Sequence, residues 1–320
     1  MEGANHSYLW CMNQRIEDPG FGTKYERQTK RVINKDGTFN VKRRGVDTGL
    51  RSLYQAVISM SASRFLLLVG AGYFILNAIF ATAYFMTGIE FISGAESVNG
   101  WQDWLTCFYF SFQTFTTVGY GALAPKGGVM NTIAAIEALA GLLGFALMSG
   151  VLYGRFSKPK SKLAYSQNAV IAPFGEHKAL MFRLANKRTN VLMQMQAQII
   201  LMMHDDMQAP HKRSFYNLDL QVSKVNFLPL TWTVVHPITP DSPMFNKSRT
   251  DLLAAEAEVL ILISGFDDTF NQTVHSRYSY TCDEVVPNAK FNPAFSSDSE
   301  GEIVLDLEKI NDYTVLTNET

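Results

Sequence analysis

Apolar residues change their spacing several times along this chain, and each change predicts a different element. Leu50, Leu53, Tyr54, Val57 and Ile58 recur at i, i+3, i+4, i+7 and i+8, with Arg51, Gln55 and Ser59 on the opposite face. That spacing predicts a helix over 48–61. An ordinary half-buried helix and one lying in a membrane interface share the pattern; the run that follows at once favours the interfacial helix. Phe65 to Thr87 is apolar and uncharged, and exceeds the ~20 residues that cross a bilayer. Gly128 to Tyr153 is a second such run, with Glu137 its one charged residue. Between them, Trp101 to Phe115 is apolar but too short to span, which predicts a re-entrant helix buried among protein neighbours.

After Lys162 the period shortens. Residues 168–172, 179–184, 198–203, 230–235 and 259–263 read as short strands, separated by turn-rich stretches such as Pro173-Phe-Gly and Pro237 to Pro243. That is the pattern of a β-sandwich. Asp251 to Glu258 predicts a short helix leading into a buried strand. Residues 1–30 show no periodicity and predict a loose start. Arg31-Val-Ile-Asn and Thr38-Phe-Asn-Val flank an Asp36-Gly37 turn signal and predict a short strand that joins a later sheet. The resulting domain layout is an N-terminal segment over 1–47, the interfacial helix over 48–61, a membrane domain over 64–156 and a β-domain over 157–320.

Charge orients this plan. Arg64 precedes the first span, and Arg155, Lys158, Lys160 and Lys162 follow the second. By the positive-inside rule both termini are cytoplasmic and residues 88–127 face outward, in a multi-pass protein of the cell membrane, the inner membrane if the source is bacterial. The polar stretch Met1 to Gly20 has no apolar segment of a cleavable signal. A net charge of -1 over 320 residues argues against nucleic acid as a partner. Three scattered cysteines, Cys11, Cys107 and Cys282, fit neither a disulfide framework nor a zinc site. No Ser/His/Asp or paired-carboxylate constellation points to an enzyme, and no GxGxxG loop points to a nucleotide.

The chemistry concentrates in Thr117-Val118-Gly119-Tyr120-Gly121, set between the short apolar run and the second span. Irregular backbone at membrane depth is tolerated where it lines a water-filled path or is buried in protein. Gly119 and Gly121 reach positive φ freely, so the backbone can alternate in hand and aim successive carbonyls at one axis. Rings of carbonyls from several identical chains would then replace the water shell of a potassium ion, with the Thr117 hydroxyl adding an oxygen at the inner end.

With these stretches in view, the chain resembles the inward-rectifier potassium channels, most of all their prokaryotic branch. The matching stretches are Arg31 to Val41, the pentapeptide, Tyr153-Gly-Arg-Phe-Ser-Lys-Pro, Asn168 to Ala172, Met181 to Asn186, Val235-His236-Pro-Ile, Asp241-Ser-Pro-Met, and Glu258 through Gly265 and Arg277 to Asp283-Glu284. The resemblance implies a four-fold homotetramer with an interfacial slide helix, two spans, a pore helix and an immunoglobulin-like cytoplasmic sandwich. It implies no cofactor beyond potassium ions held by residues 117–120. Two departures support the prokaryotic branch: the acidic–basic pair of eukaryotic members is replaced by Gln113 and Leu123, and Cys107 has no partner within 88–127 for their disulfide. The alternative class is a membrane-anchored sandwich protein with a non-conducting pore module.

The resemblance also assigns roles. Gln113 and Glu137 support the filter; for Glu137, a buried hydrogen-bonded brace and a cavity-lining charge both stay open. Gly141, Gly144 and Gly150 either let helices approach or ease bending. Phe145 falls in the central cavity and Tyr153 at the helix-bundle crossing, where it either gates or anchors at the interface. Arg155, Lys158 and Lys160, helped by Arg64, bind anionic phospholipid or phosphoinositide in addition to setting topology. Gly265, Asp268 and Arg277 belong to a cytoplasmic loop gate, the last two as an ion pair bracing it. His204, Asp205 and Asp206 are candidates for the cytoplasmic pore, while His236 and His275 are structural or exposed. The two positions where strongly rectifying members carry acids are Phe145 and Ser264, which implies weak polyamine block.

Overall fold

The computed structural model describes residues 15–23, 31–45, 49–157, 161–204 and 212–316. In chain order its elements are β1 (Arg15–Ile16), α1 (Leu50–Ser59), α2 (Ala62–Thr87), β2 (Ile92–Ser93), α3 (Gly100–Phe115), β3 (Ala124–Pro125), α4 (Gly127–Phe156), β4 (Leu163–Tyr165), β5 (Ala169–Phe174), β6 (His177–Asn186), β7 (Leu192–His204), β8 (Arg213–Asn217), β9 (Lys224–Phe227), β10 (Thr231–Ile238), α5 (Arg249–Ala254), β11 (Glu258–Asp267), β12 (Gln272–Thr281), β13 (Val285–Pro287), β14 (Ala289–Phe291), β15 (Phe295–Ser297), β16 (Ile303–Leu305) and β17 (Tyr313–Val315). Contacts divide the chain into two units, residues 44–158 and residues 1–43 with 159–320.

In the helical unit, α1 leaves Leu53 and Tyr54 exposed and half-buries Val57 and Ile58. α2 and α4 are long and apolar enough to cross a membrane. At ~1.5 Å per residue both exceed a ~30 Å hydrocarbon core. They expose large side chains such as Leu66, Leu67, Phe74, Leu142 and Leu147. Lipid receives such a surface without the cost that water would impose. The short run between the spans forms α3, as its length and apolarity predict. Asn99 starts it by accepting a hydrogen bond from Gln102 N–H, and Asp103 accepts from Val98 N–H and the Ser97 hydroxyl. Cys107 and Phe110 of α3 are buried with Ala81, Tyr84, Ile92, Met130 and Ala134.

The β unit is a sandwich. One sheet runs β1-β8-β7-β11-β12 with β9 beside β7; the other runs β10-β6-β5-β13 with β4 beside β6. The core lies between them, with Leu180, Phe182, Leu184, Trp232 and Val234 of one sheet meeting Met195, Ala197, Ile199, Leu201, Val259, Ile261 and Ile263 of the other. Period-2 alternation on β7 breaks at Gln194, whose φ is 49°, and the β7–β11 register shifts between Ser264 and Phe266. One inserted residue flips the faces, which is what a bulge does. β6 is buried almost continuously because its second face is also covered: Met181 packs with Val170, Ala289 and Phe291, and Ala185 with Ala164 and Ile310.

Three expected elements differ. The N-terminal start is not wholly loose: β1 pairs antiparallel with β8, Arg15 opposite Tyr216. Two residues carry no periodicity, so sheet partnership alone makes them a strand. Residues 31–41 form no sheet strand; Ile33 and Phe39 bridge each other across the Asp36-Gly37 turn. Val32 and Ile33 N–H donate instead to the buried Glu258 carboxylate, at 2.9 and 3.4 Å, and both side chains pack on Met202, Phe215 and Leu260. The short helix starts and ends earlier than expected. Ser248 and Asp251 form a capping box that fixes its start, and Glu258 already belongs to β11.

Candidate functional site

The site is built where α3 ends. Thr116 caps the helix, and residues 117–121 then alternate in hand: φ is 58° at Thr117, 53° at Gly119 and 82° at Gly121, while Val118 and Tyr120 stay at negative φ. The sequence marks the two glycines but not Thr117. A β-branched residue in this region is strained by about 1–2 kcal/mol, so its surroundings must hold it there. Two bonds do so: Gln113 O accepts from both Val118 N–H at 3.0 Å and Gly119 N–H at 3.3 Å. Gln113 itself is buried. With those N–H groups turned back onto α3, the carbonyls of the stretch are left for other partners. Val118 and Tyr120 are exposed in the single chain. Beyond the stretch, β2 pairs with β3, and Gly94 lies so close to Ala122 O that a Cβ there would overlap it.

Glu137 takes the buried placement. It has no exposed surface, and its two carboxylate oxygens accept from the Tyr84 and Ser111 hydroxyls. Ser111 Oγ also lies 3.1 Å from Asn77 Oδ1 and from Asn77 O, and Asn77 Nδ2 donates to Tyr73 O at 2.8 Å. This polar cluster ties α2, α3 and α4 together. Sequence inspection finds Glu137 but misses Asn77, Tyr84 and Ser111, whose spacing carries no signal across three helices. Gly141 is a close approach: a Cβ would overlap Phe115 O at the end of α3. Gly150 has open space around it within its own chain, so packing within the chain accounts for Gly141 and not for Gly150.

Phe145 and Tyr153 are 74% and 75% exposed on α4, about two turns apart. A groove of about 860 Å³ runs from Thr116 and Thr117 past Gly141 to Phe145 and Met148. At the foot of α4 the guanidinium of Arg155 does not stand free. It donates to the carbonyls of Val57, Ile58 and Met60 at the end of α1, and lies over the Phe65 ring at 4.4 Å. The last carbonyls of a helix lack intrahelical donors, and a cation there also meets the negative end of the helix dipole. Within the chain Arg155 therefore clamps α4 to the end of α1. Arg64 is exposed, whereas Lys158 and Lys160 lie outside the described residues.

In the β unit Gly265 faces Met195 so closely that a Cβ would overlap its sulfur. The expected Asp268–Arg277 pair does not form within the chain. The β11–β12 register sets Arg277 opposite Leu262, while Asp268 lies past the last ladder pair, Asp267 and Gln272. That places them about six residues apart along the hairpin, ~20 Å at strand rise. Arg277 stacks instead over Phe39 at 4.7 Å. The turn is braced by Asp267, which is buried and accepts from Thr269 N–H at 3.1 Å. His204 pairs with Glu256 at 3.4 Å, and Asp205 and Asp206 lie outside the described residues. His236 is buried between Asp219 O and Ser242 Oγ, and His275 is exposed.

The 31–41 segment is held by charge as well as by Glu258. Arg31 and Lys35 both reach Glu284, each at 2.7 Å. Burial pulls the Glu284 carboxyl upward, but hydrogen bonds from Arg31, Lys35 and Thr281 N–H outweigh it and hold the group below its ordinary 4.5. A carboxylate held low stabilises the fold fully above that value and loses the contribution as pH falls through the folded pKa. Acidification below about pH 4.5 is therefore expected to lower the thermal midpoint of the chain more than that of Glu284→Gln. Parallel pH profiles of the two proteins would remove this role.

Comparison with known proteins follows the same two units. The family model described as inward rectifier potassium channel C-terminal domain matches residues 163–319, and an ion channel model matches 69–158. The chain is 33% identical over 294 residues to inward rectifier potassium channel Kirbac3.1 of Paramagnetospirillum magnetotacticum, covering 91% of this chain and 98% of that one. It is 25% identical to G protein-activated inward rectifier potassium channel 4 of Mus musculus, covering 86% and 70%. It is 23% identical to ATP-sensitive inward rectifier potassium channel 12 of Gallus gallus, covering 82% and 67%.

Proposed function

The chain belongs to the inward rectifier potassium channel family, and from that premise we propose how its own residues carry and control a potassium current. Potassium-channel function in a membrane follows from membership. The observation that carries the detailed reading is the alternating hand of residues 117–121 behind a re-entrant helix. Four chains around one axis bring four such stretches together. Their carbonyl rings replace the hydration shell, and the Thr117 hydroxyls close the inner end. The C-terminal dipole of α3 adds negative potential for the cation below. Gln113 holds the filter backbone, and Glu137 with Ser111, Tyr84 and Asn77 braces the helices that carry it. Potassium flux into liposomes containing the purified protein, with sodium as the control ion, tests the reading; absence of flux favours a non-conducting sandwich protein.

Both termini are cytoplasmic in this reading, because basic residues flank both spans on that side. Phe145 and Tyr153, open in one chain, become rings around the inner pathway. The aromatic ring at Tyr153 closes it by dewetting. Gly265 and the Asp267-braced turn narrow the cytoplasmic end.

Arg64, Lys158 and Lys160 meet anionic lipid headgroups, each contributing about 1 kcal/mol near the surface. Replacing all three with Gln is expected to flatten the dependence of flux on added phosphoinositide. Arg155→Gln is expected to change basal flux with the lipid response retained, since its donors are engaged by α1 carbonyls. Identical lipid titrations of wild type and triple variant would exclude this assignment.

Neither Phe145 nor Ser264 bears a charge, and four-fold symmetry multiplies each missing charge into a missing ring. Internal spermine is expected to block weakly, and Phe145→Asp with Ser264→Glu to raise its affinity. Steep block of the unmodified channel would place the blocking charges elsewhere.

A further inference from the structure

We propose that the crevice between the β5–β6 hairpin and the 244–249 loop of the β unit binds an amphipathic organic anion, an acidic head on an apolar body. The crevice encloses about 580 Å³, within the range of small-molecule sites. Its floor is apolar. Met244, Leu252 and Val285 are buried and reach it from the loop, from α5 and from the start of β13. Cys282 completes the floor, but its thiol already donates to Ala257 O.

The mouth is cationic. Lys178 lies just after the hairpin turn, Lys247 lies on the facing loop, and Arg249, the first residue of α5, donates to Asp283 O at 3.4 Å. Among the described residues no carboxylate stands within ion-pair distance of these three. Asp251, close by in sequence, accepts from the Ser248 N–H and hydroxyl and also lies within electrostatic reach of Lys247. Glu176 is the one carboxylate lining the mouth, where Lys178, Lys247 and Arg249 outnumber it. Asn246 and Asn288 hold left-handed backbone, φ 54° and 49°, where the chain bends around the opening.

These features select a ligand class. Apolar walls supply contact area and a few placed charges select sign and orientation. An inorganic anion alone leaves the floor unfilled, and a neutral hydrophobe leaves the cations unmatched. The site does not depend on the reading of the ion path.

The test is calorimetric titration of the full-length, detergent-solubilised protein with naphthyl phosphate, inorganic phosphate and naphthol. Naphthyl phosphate is expected to bind saturably, once per chain, and about tenfold or more tighter than either fragment. Lys178→Gln with Lys247→Gln removes two exposed cations without touching the core, and is expected to weaken binding about tenfold. Lys187→Gln with Lys224→Gln, away from the crevice, is expected to leave it unchanged. The proposal is overturned by absence of saturable binding, by equal affinity for inorganic phosphate, or by equal affinity in the crevice variant.

Discussion

Gly119→Asp is expected to abolish potassium flux while leaving the protein assembled. At φ 53° the residue sits where L side chains are strained, although Asp tolerates that region better than most. Backbone cost is therefore the smaller effect. A Cβ at 119 meets nothing within 4 Å in its own chain, so the variant chain has room to fold. In the tetramer four carboxylates would crowd the axis at the filter. They would bind the cation in place of the carbonyls and hold it too tightly to leave, and conduction needs binding weak enough for release. Liposome flux alongside size-exclusion chromatography separates lost conduction from lost assembly. Unchanged flux in an assembled Gly119→Asp tetramer would sink the filter assignment.

The second large effect is expected at Glu137. Removing its carboxylate strands two buried hydroxyls unequally. Ser111 can turn to Asn77 Oδ1, already 3.1 Å away. Tyr84 is fully buried, and its hydroxyl donates to Glu137. An orphaned buried donor costs about 1–3 kcal/mol. Glu137→Leu is thus expected to lower the thermal stability of the assembled channel and to impair potassium-over-sodium selectivity, since the cluster ties α3 to both spans. Glu137→Gln keeps an acceptor and is expected to lose less. Adding Tyr84→Phe to Glu137→Leu removes the orphan and is expected to recover about 1–3 kcal/mol of the loss. If the double variant is as unstable as Glu137→Leu, the Tyr84 bond is not what the carboxylate maintains.

The sequence by itself determined whatever depends on neighbours along the chain. Uncharged runs of sufficient length gave α2 and α4 because bilayer thickness sets a count of residues. Short apolar runs bounded by turn residues gave β5, β6, β7, β10 and β11 because turn chemistry limits their length to that of strands. The alternating backbone at 117–121 was partly legible because glycine alone enters positive φ freely, so its placement at 119 and 121 is a backbone instruction. Only the tertiary structure decided which side chains meet. Thr117 is left-handed because Gln113 O captures the next two N–H groups. Arg155 meets α1 carbonyls because α4 ends beside α1. Arg277 misses Asp268 because hairpin register separates them, and Arg15–Ile16 is a strand because β8 offers an edge. Each of these outcomes depends on where elements distant in sequence come to lie against one another. A local pattern of residues holds no information about that distance, whereas hydrogen bonds and ion pairs act over only a few ångströms.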